Sequence, residues 1–414
     1  MRTIDCVIVG AGHSGLAASY FLQESGIEHI ILERGEIAHS WKNERWDSMR
    51  LLTPNHQVRL PGFRYSGDNP DGYLTVAETV KFIEEYAQFI NAPVLCNQEV
   101  LSVDSNPLGF SIVTNNDEYI TPSLVVASGA CNLPSFPPCA EKLPESIPSI
   151  HPLEYRNPEQ LPPGKVLVVG ASATGVQLAH EIHTSGKPVI LSVAEHVRLP
   201  RVYRSKDILW LMETVGILDE RYDEIDDLVR ARSIPSPQLM GTPDRKTIDL
   251  NTLSDMGVQI RGQLMEIRGN EVLFSGSLKN HCELADLKMN RLLKTIDEWI
   301  NEKGLEAKFD EPERFAETRV EKSPPLTLDL QKENIQSVIW ATGFAPDYRW
   351  LNLPILDRKG RIRHQAGVAA WPGLYLLGAT FMTRRKSTYI HGAEDDAREV
   401  CEHLTAYLRK RSVA

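Results

Sequence analysis

Two glycine-rich turns constrain this chain more than any other feature: Gly10-Ala11-Gly12-His13-Ser14-Gly15 and Gly170-Ala171-Ser172-Ala173-Thr174-Gly175. Each follows a short apolar run and opens a segment of helical periodicity, the strand-turn-helix setting in which such turns bind the pyrophosphate of a dinucleotide. The first run is Ile4-Asp5-Cys6-Val7-Ile8-Val9, and Leu16, Ala17, Tyr20 and Phe21 recur at helical spacing behind it. Gly10 permits the tight turn, Gly12 lets backbone approach a phosphate, and Gly15 lets the helix lie close to the strand. His13 and Ser14 stand at the helix start, whose unpaired amides attract an anion. Glu33 ends the next strand, Glu28-His29-Ile30-Ile31-Leu32, at the offset of a carboxylate that takes ribose hydroxyls, with Arg34 beside it as a further contact.

The second turn follows Lys165-Val166-Leu167-Val168-Val169 and leads into a helix through Val176, Leu178, Ala179 and Ile182 that stops at Gly186. Ser172 stands where the middle glycine belongs, so a small side chain faces the phosphates beside Thr174 and Gly175. The strand Pro188-Val189-Ile190-Leu191-Ser192 ends without a ribose-reading acid, and Arg198, Arg201 and Arg204 follow shortly. These arginines read either as a site for a 2′-phosphate, which favours NADP over NAD, or as a solvated basic face. The first unit, lying at the beginning of a chain this long, reads as an FAD site.

The expected fold class is therefore α/β, with two Rossmann-like dinucleotide-binding domains, the second inserted in the first. The expected boundaries are an FAD-binding domain over 1–155, an NADPH-binding domain over 156–330, and a return to the first domain over 331–414. Nine prolines between Asn132 and Gly164 mark an extended crossover. An irregular insertion is expected over about 205–325, carrying one amphipathic helix with Leu292, Leu293, Ile296, Trp299 and Ile300 on a face open to a partner. Ser337-Val338-Ile339-Trp340 and Leu374-Tyr375-Leu376-Leu377-Gly378 are expected to rejoin the first domain, and a last helix carries Ala393, Ala397, Val400, Cys401, Leu404 and Leu408 on one stripe.

A formal charge of −10 argues against nucleic acid as a partner. No apolar run approaches the roughly 20 residues that span a bilayer, and the immediate entry into a strand leaves no room for a signal peptide, so a cytoplasmic protein is expected. The six cysteines show no Cys-x-x-Cys pair and no zinc spacing, so neither a redox-active dithiol nor a metal is expected.

The two turns, the small-residue crossings Ala127-Ser128-Gly129 and Ala341-Thr342-Gly343-Phe344, and Ser40-Trp41-Lys42-Asn43-Glu44-Arg45-Trp46-Asp47-Ser48 resemble the flavin-containing monooxygenases over nearly the whole chain. Leu52-Thr53-Pro54-Asn55 and Arg384-Arg385-Lys386-Ser387 resemble their bacterial single-component relatives. The family signature Phe-x-Gly-x-x-x-His-x-x-x-Tyr keeps only His151 and Tyr155, with Glu145 and Ile147 in place of its Phe and Gly.

The resemblance implies FAD and NADPH as cofactors, and dioxygen with a small organic molecule as substrates. A flavin C4a-hydroperoxide would pass one oxygen atom to an amine, a thioether or a carbonyl. Asn55 is then the candidate for a hydrogen bond to the peroxide, or else a turn cap. His151 either contacts the nicotinamide nucleotide or faces solvent. Trp41 and Trp46 either wall the flavin pocket or pack. The segment Arg384–Lys386 and the start of the last helix would steady an anionic reduced flavin, or else lie solvated. Ala127, Gly129, Thr342, Gly343 and Gly378 are expected where backbone passes a cofactor. A reductase without oxygen insertion and a nucleotide-binding redox sensor are the competing classes, and a homo-oligomer stays open.

Overall fold

The computed structural model describes residues 2–413. Among them, seven strands form the first sheet, in the order His364–Gln365, Val368–Ala369, Leu374–Leu376, Ser123–Val126, Cys6–Val9, His29–Leu32 and Val94–Leu95. From Leu374–Leu376 onward the pairing is parallel. Cys6–Val9 and Ser123–Val126 are buried along their whole length, as strands covered on both faces must be, which is why their sequences are continuous apolar runs rather than alternations. One cover is the helix His13–Glu24, packed on the last helix, Ala393–Val413. The stripe expected on that last helix is the face it buries: Ala397, Val400, Cys401 and Leu404 lie in the first core.

The second sheet has five parallel strands among the described residues, ordered Ser149–Ile150, Ile335–Trp340, Lys165–Val169, Val189–Ser192 and Gln259–Arg261. This order corrects three expectations. Ile335–Trp340 does not rejoin the first sheet; it pairs with Lys165–Val169. Ser149–Ile150 already belongs to the second sheet, ahead of the expected boundary at 155. Residues 205–325 are not an irregular insertion either, since they supply the strand Gln259–Arg261, two strands of a three-stranded antiparallel sheet, Leu264–Arg268 and Glu271–Phe274, and the 25-residue helix Leu278–Glu302.

The stripe on that long helix is not free for a partner. Leu293, Ile296 and Ile300 are buried in a cluster with Leu199, Tyr203, Ile208 and Leu211, and Leu292 and Trp299 pack against it. A strap from the first half reaches the second: Trp46 lies in the second core beside Tyr155 and Val166, the Asp47 amide donates to Arg156 O at 2.8 Å, and Asn157 Nδ2 donates to Asp47 Oδ2 at 2.8 Å. No helix among the described residues is long and apolar enough to cross a membrane.

Candidate functional site

The two glycine turns are built alike. Gly10 adopts φ +108°, and a Cβ there would come within 2.5 Å of the Ala127 carbonyl oxygen. Gly170 adopts φ +106°, and a Cβ there would overlap the Ala341 carbonyl oxygen. In each helix the third glycine is pressed on the first: a Cβ on Gly15 would overlap Gly10 O, and one on Gly175 would overlap Gly170 O. Each turn therefore rests on the small-residue crossing of a neighbouring parallel strand, Ala127–Gly129 in one half and Ala341–Gly343 in the other. Thr342 and Gly343, expected beside the first cofactor, belong to the second turn because their strand lies in the second sheet. Gly129 and Gly343 both take positive φ, +88° and +104°.

At the first turn nothing lies within 4 Å of where a Gly12 Cβ would be, leaving room for a phosphate. Glu33 is buried, its carboxylate accepting the Ala11 amide at 2.8 Å and the Gly35 amide at 3.2 Å. Two amides leave a carboxylate with lone pairs to accept hydroxyls, and Glu33 lines a cavity of about 120 Å³ with Gly10, Arg34, Ser128 and Asn132. Arg34 is ion-paired to Glu44 at its rim. The Ser128 hydroxyl and His13 Nε2 are buried with no partner among the described residues. Burial pushes the His13 pKa down to about 4, so a neutral imidazole stands at the helix start. Gly378, φ +76°, approaches the buried Ser14, whose Oγ would lie 3.1 Å from a Cβ. Trp41 is half-buried near this turn, on the short helix whose leading residue, Ala38, donates its amide to Ala11 O at 3.2 Å.

At the second turn Ser172 caps the helix Ala173–Thr184 without a side-chain capping bond, and Ser172 and Thr174 are half-buried. Gln238 Nε2 donates to Ala171 O at 2.8 Å and Gln177 Nε2 donates to Leu239 O at 2.8 Å, stitching a distant loop onto the turn.

Asn55 is buried; its Nδ2 donates to Asn69 O at 2.9 Å, and its Oδ1 has no partner among the described residues. Nearby segments carry more orphaned polar atoms: Gln57 Oε1 and both ring nitrogens of His391. His391 is 1% exposed and stacked on Tyr389 with ring centroids 5.6 Å apart, and burial pushes its pKa down to about 4. Buried polar atoms without partners mark where a ligand or water completes the bonding.

Comparison with known proteins places this geometry. The sequence profile described as pyridine nucleotide-disulphide oxidoreductase matches residues 7–211. The oxidoreductase CzcO-like of Geobacillus kaustophilus is 31% identical over 397 residues, covering 95% of this chain and 96% of the relative. The chain belongs to the CzcO-like oxidoreductases. Indole-3-pyruvate monooxygenase YUCCA8 of Oryza sativa subsp. indica is 31% identical over 208 residues, covering 47% of this chain and 49% of that one. The flavin-containing monooxygenase of Stenotrophomonas maltophilia shares the fold across 98% of this chain and 99% of its own, with a TM-score of 0.68 and 19% identity.

In this CzcO-like oxidoreductase several expected contacts are engaged elsewhere. Arg198 is buried between Asp249 and Asp286, both at 2.7 Å. Arg201 pairs with Asp207 at 2.6 Å and Arg204 with Asp297 at 3.0 Å, each nearly sealed from solvent. These three are internal struts rather than a basic face or a free phosphate site. Trp46 is packed in the second core, away from any flavin pocket. His151 is neither solvent-facing nor free: the Leu153 amide donates to Nδ1 at 3.3 Å, which makes Nε2 the donor to Gly343 O at 3.0 Å. Phe136 and Phe344 meet its ring edge-on, and burial lowers its pKa, so it braces the second crossing as a neutral imidazole. Arg384, Arg385 and Lys386 pair with Glu399, Glu220, Asp219 and Asp395. The last helix also starts with Glu394, Asp395 and Asp396, which already answer its N-terminal dipole. Gln238 and His391 carried no local signal in sequence, because what singles them out is a partner gained, or lacking, from distant segments.

Proposed function

We propose that this CzcO-like oxidoreductase is an FAD-dependent, NADPH-driven monooxygenase that transfers one atom of dioxygen to the nitrogen, sulfur or carbonyl group of a small organic substrate. The duplicated cradle carries this reading: two turns, each closed by its own crossing strand, are what a chain needs to hold two dinucleotides. Bound flavin would supply the chemistry, accepting hydride from the pyridine nucleotide and activating dioxygen. The first turn offers backbone amides to the pyrophosphate of FAD and Glu33 to its ribose, while Ser172 and Thr174 face the second pyrophosphate. Asn55 holds an amide oxygen in a dry setting without titrating, which suits it to orient a polar group there while Thr53, Pro54 and Gln57, all buried, exclude water. His151 keeps the second crossing in place and moves no proton.

The purified protein should be yellow and should bleach on anaerobic NADPH. Admitting air with a trial substrate should then yield product carrying one ¹⁸O atom from ¹⁸O₂. A 2-oxo acid is a suitable first trial, given the name of the rice relative. A second reading is a reductase without oxygen insertion, favoured by the engagement of His151, the surviving histidine of the monooxygenase signature, with Gly343. Bleaching followed by stoichiometric hydrogen peroxide and no labelled product would decide for it.

A further inference from the structure

A second cleft, of about 500 Å³, opens between the two halves, lined by Ser48 and Arg50 from the first and by His180 and residues 240–248 from the second. Its volume lies in the range of small-molecule sites. The loop that forms one wall continues from Gln238 and Leu239, which are bonded to Ala171 and Gln177 of the second turn, and His180 rides on the same helix. The cleft is thus continuous with the second dinucleotide cradle without being part of it.

The charges around it do not balance. Lys246 on the wall is paired with Asp244 at 2.8 Å and cancels. Arg50 donates from Nη1 to Tyr73 O at 2.9 Å and makes no ion pair among the described residues. The nearest carboxylate in its electrostatic surroundings, Glu78, is held by the Thr75 amide and hydroxyl at 2.8 Å. Arg245, between Asp244 and Lys246, is half-buried with its Nε sealed from solvent, and its guanidinium has no hydrogen bond or ion pair among the described residues. It faces Tyr73, beneath which Arg201 and Asp207 already neutralise each other. Its backbone is left-handed at φ +55°, a conformation that costs a non-glycine residue energy and persists where the surroundings demand it. His180 is kept neutral by burial and by His183. Two guanidinium groups therefore stand uncompensated at one interdomain cleft, and a desolvated cation without a partner is costly enough that a ligand anion is its natural complement.

We propose that this cleft is an oxyanion-binding subsite in which Arg50 and Arg245 receive a ligand's phosphate or carboxylate. The phosphate would come from the pyridine nucleotide and the carboxylate from the organic substrate. The naming of those two ligands rests on the function proposed above; the anion site itself does not.

The test is calorimetric titration of the purified protein with NADP⁺ and, separately, with phenylpyruvate, for wild type, Arg50→Gln, Arg245→Gln and Arg245→Lys. Each Gln variant is expected to weaken at least one probe by roughly tenfold or more, and Arg245→Lys to retain most of the affinity. Loss confined to NADP⁺ identifies the phosphate, and loss confined to phenylpyruvate identifies the carboxylate. Wild-type affinity for both probes in both Gln variants, or binding of neither probe by the wild type, overturns the proposal. Flavin content is read on the same samples, so a colourless protein that still loses anion affinity would count against the monooxygenase reading alone.

Discussion

The two halves of the molecule use one backbone device and opposite chemistry around it. In the first, the middle position is Gly12, open to 4 Å, and the following strand ends in Glu33, fixed by two amides and left with lone pairs to offer. In the second, the middle position is Ser172 and the strand Val189–Ser192 ends in a serine turned inward, its hydroxyl donating to Gly262 O at 3.0 Å and accepting the Leu264 amide at 2.9 Å. The first half thus presents a preorganised acceptor for a ribose, whereas the second presents neutral small groups. Under the proposed function this contrast separates a cofactor that stays from one that comes and goes.

Replacing the third glycine in each half tests that contrast most severely. Gly15→Ala and Gly175→Ala each push a methyl group into a backbone carbonyl that cannot move aside. Each should cost on the order of 3 kcal/mol, the upper end for overpacking. Gly15→Ala should purify with little flavin, while Gly175→Ala should keep its colour and lose reduction by NADPH. Loss of flavin from both variants alike, measured by absorbance per polypeptide, would show that the halves are not separable.

Arg198 sharpens the comparison from the second side. Glutamine there strands two buried carboxylates, Asp249 and Asp286, and should destabilise the protein by about 3–5 kcal/mol in urea unfolding. The ratio of NADPH to NADH affinity should stay unchanged in whatever fraction remains folded, since the guanidinium is a strut. A changed ratio would return Arg198 to the nucleotide site.

Why the arginines misled the sequence reading is instructive. Their partners lie 51, 88 and 93 positions away for Asp249, Asp286 and Asp297, so nothing local distinguishes a buried strut from a free cation. The turns were legible because their requirements are local: positive φ at Gly10 and Gly170, and no Cβ at Gly15 and Gly175. Ile335–Trp340 was legible as a buried parallel strand but not as a member of the second sheet, because an apolar run covered on both faces reads the same in either. His151 was legible as a residue of the crossover, but its engagement depends on a carbonyl 192 positions away. The orphaned atoms of Asn55 and His391 depend on what fails to arrive, which no pattern in the chain records.

Glu33 offers a milder probe of the first half. Glu33→Gln keeps the shape but weakens the amide bonds and the ribose acceptor, a loss of roughly 1.5–3 kcal/mol for bonds to a charged group. FAD should bind apoprotein about ten- to a hundred-fold more weakly by fluorescence titration, with NADP⁺ affinity untouched. Equal weakening of both ligands would mean that the carboxylate holds the fold rather than the ribose.

The smallest expected effect comes from making the second turn resemble the first. Ser172 makes no capping bond, so Ser172→Gly removes no interaction that the helix uses and should change stability by only a few tenths of a kcal/mol. Opening the space beside the pyrophosphate should tighten NADP⁺ by less than about 1 kcal/mol, up to roughly fivefold in Kd. The opposite sign carries more information. If Ser172→Gly weakens NADP⁺ while Ser172→Thr preserves it, the hydroxyl donates to the phosphate, and the departure from the glycine pattern is a contact rather than a tolerated defect.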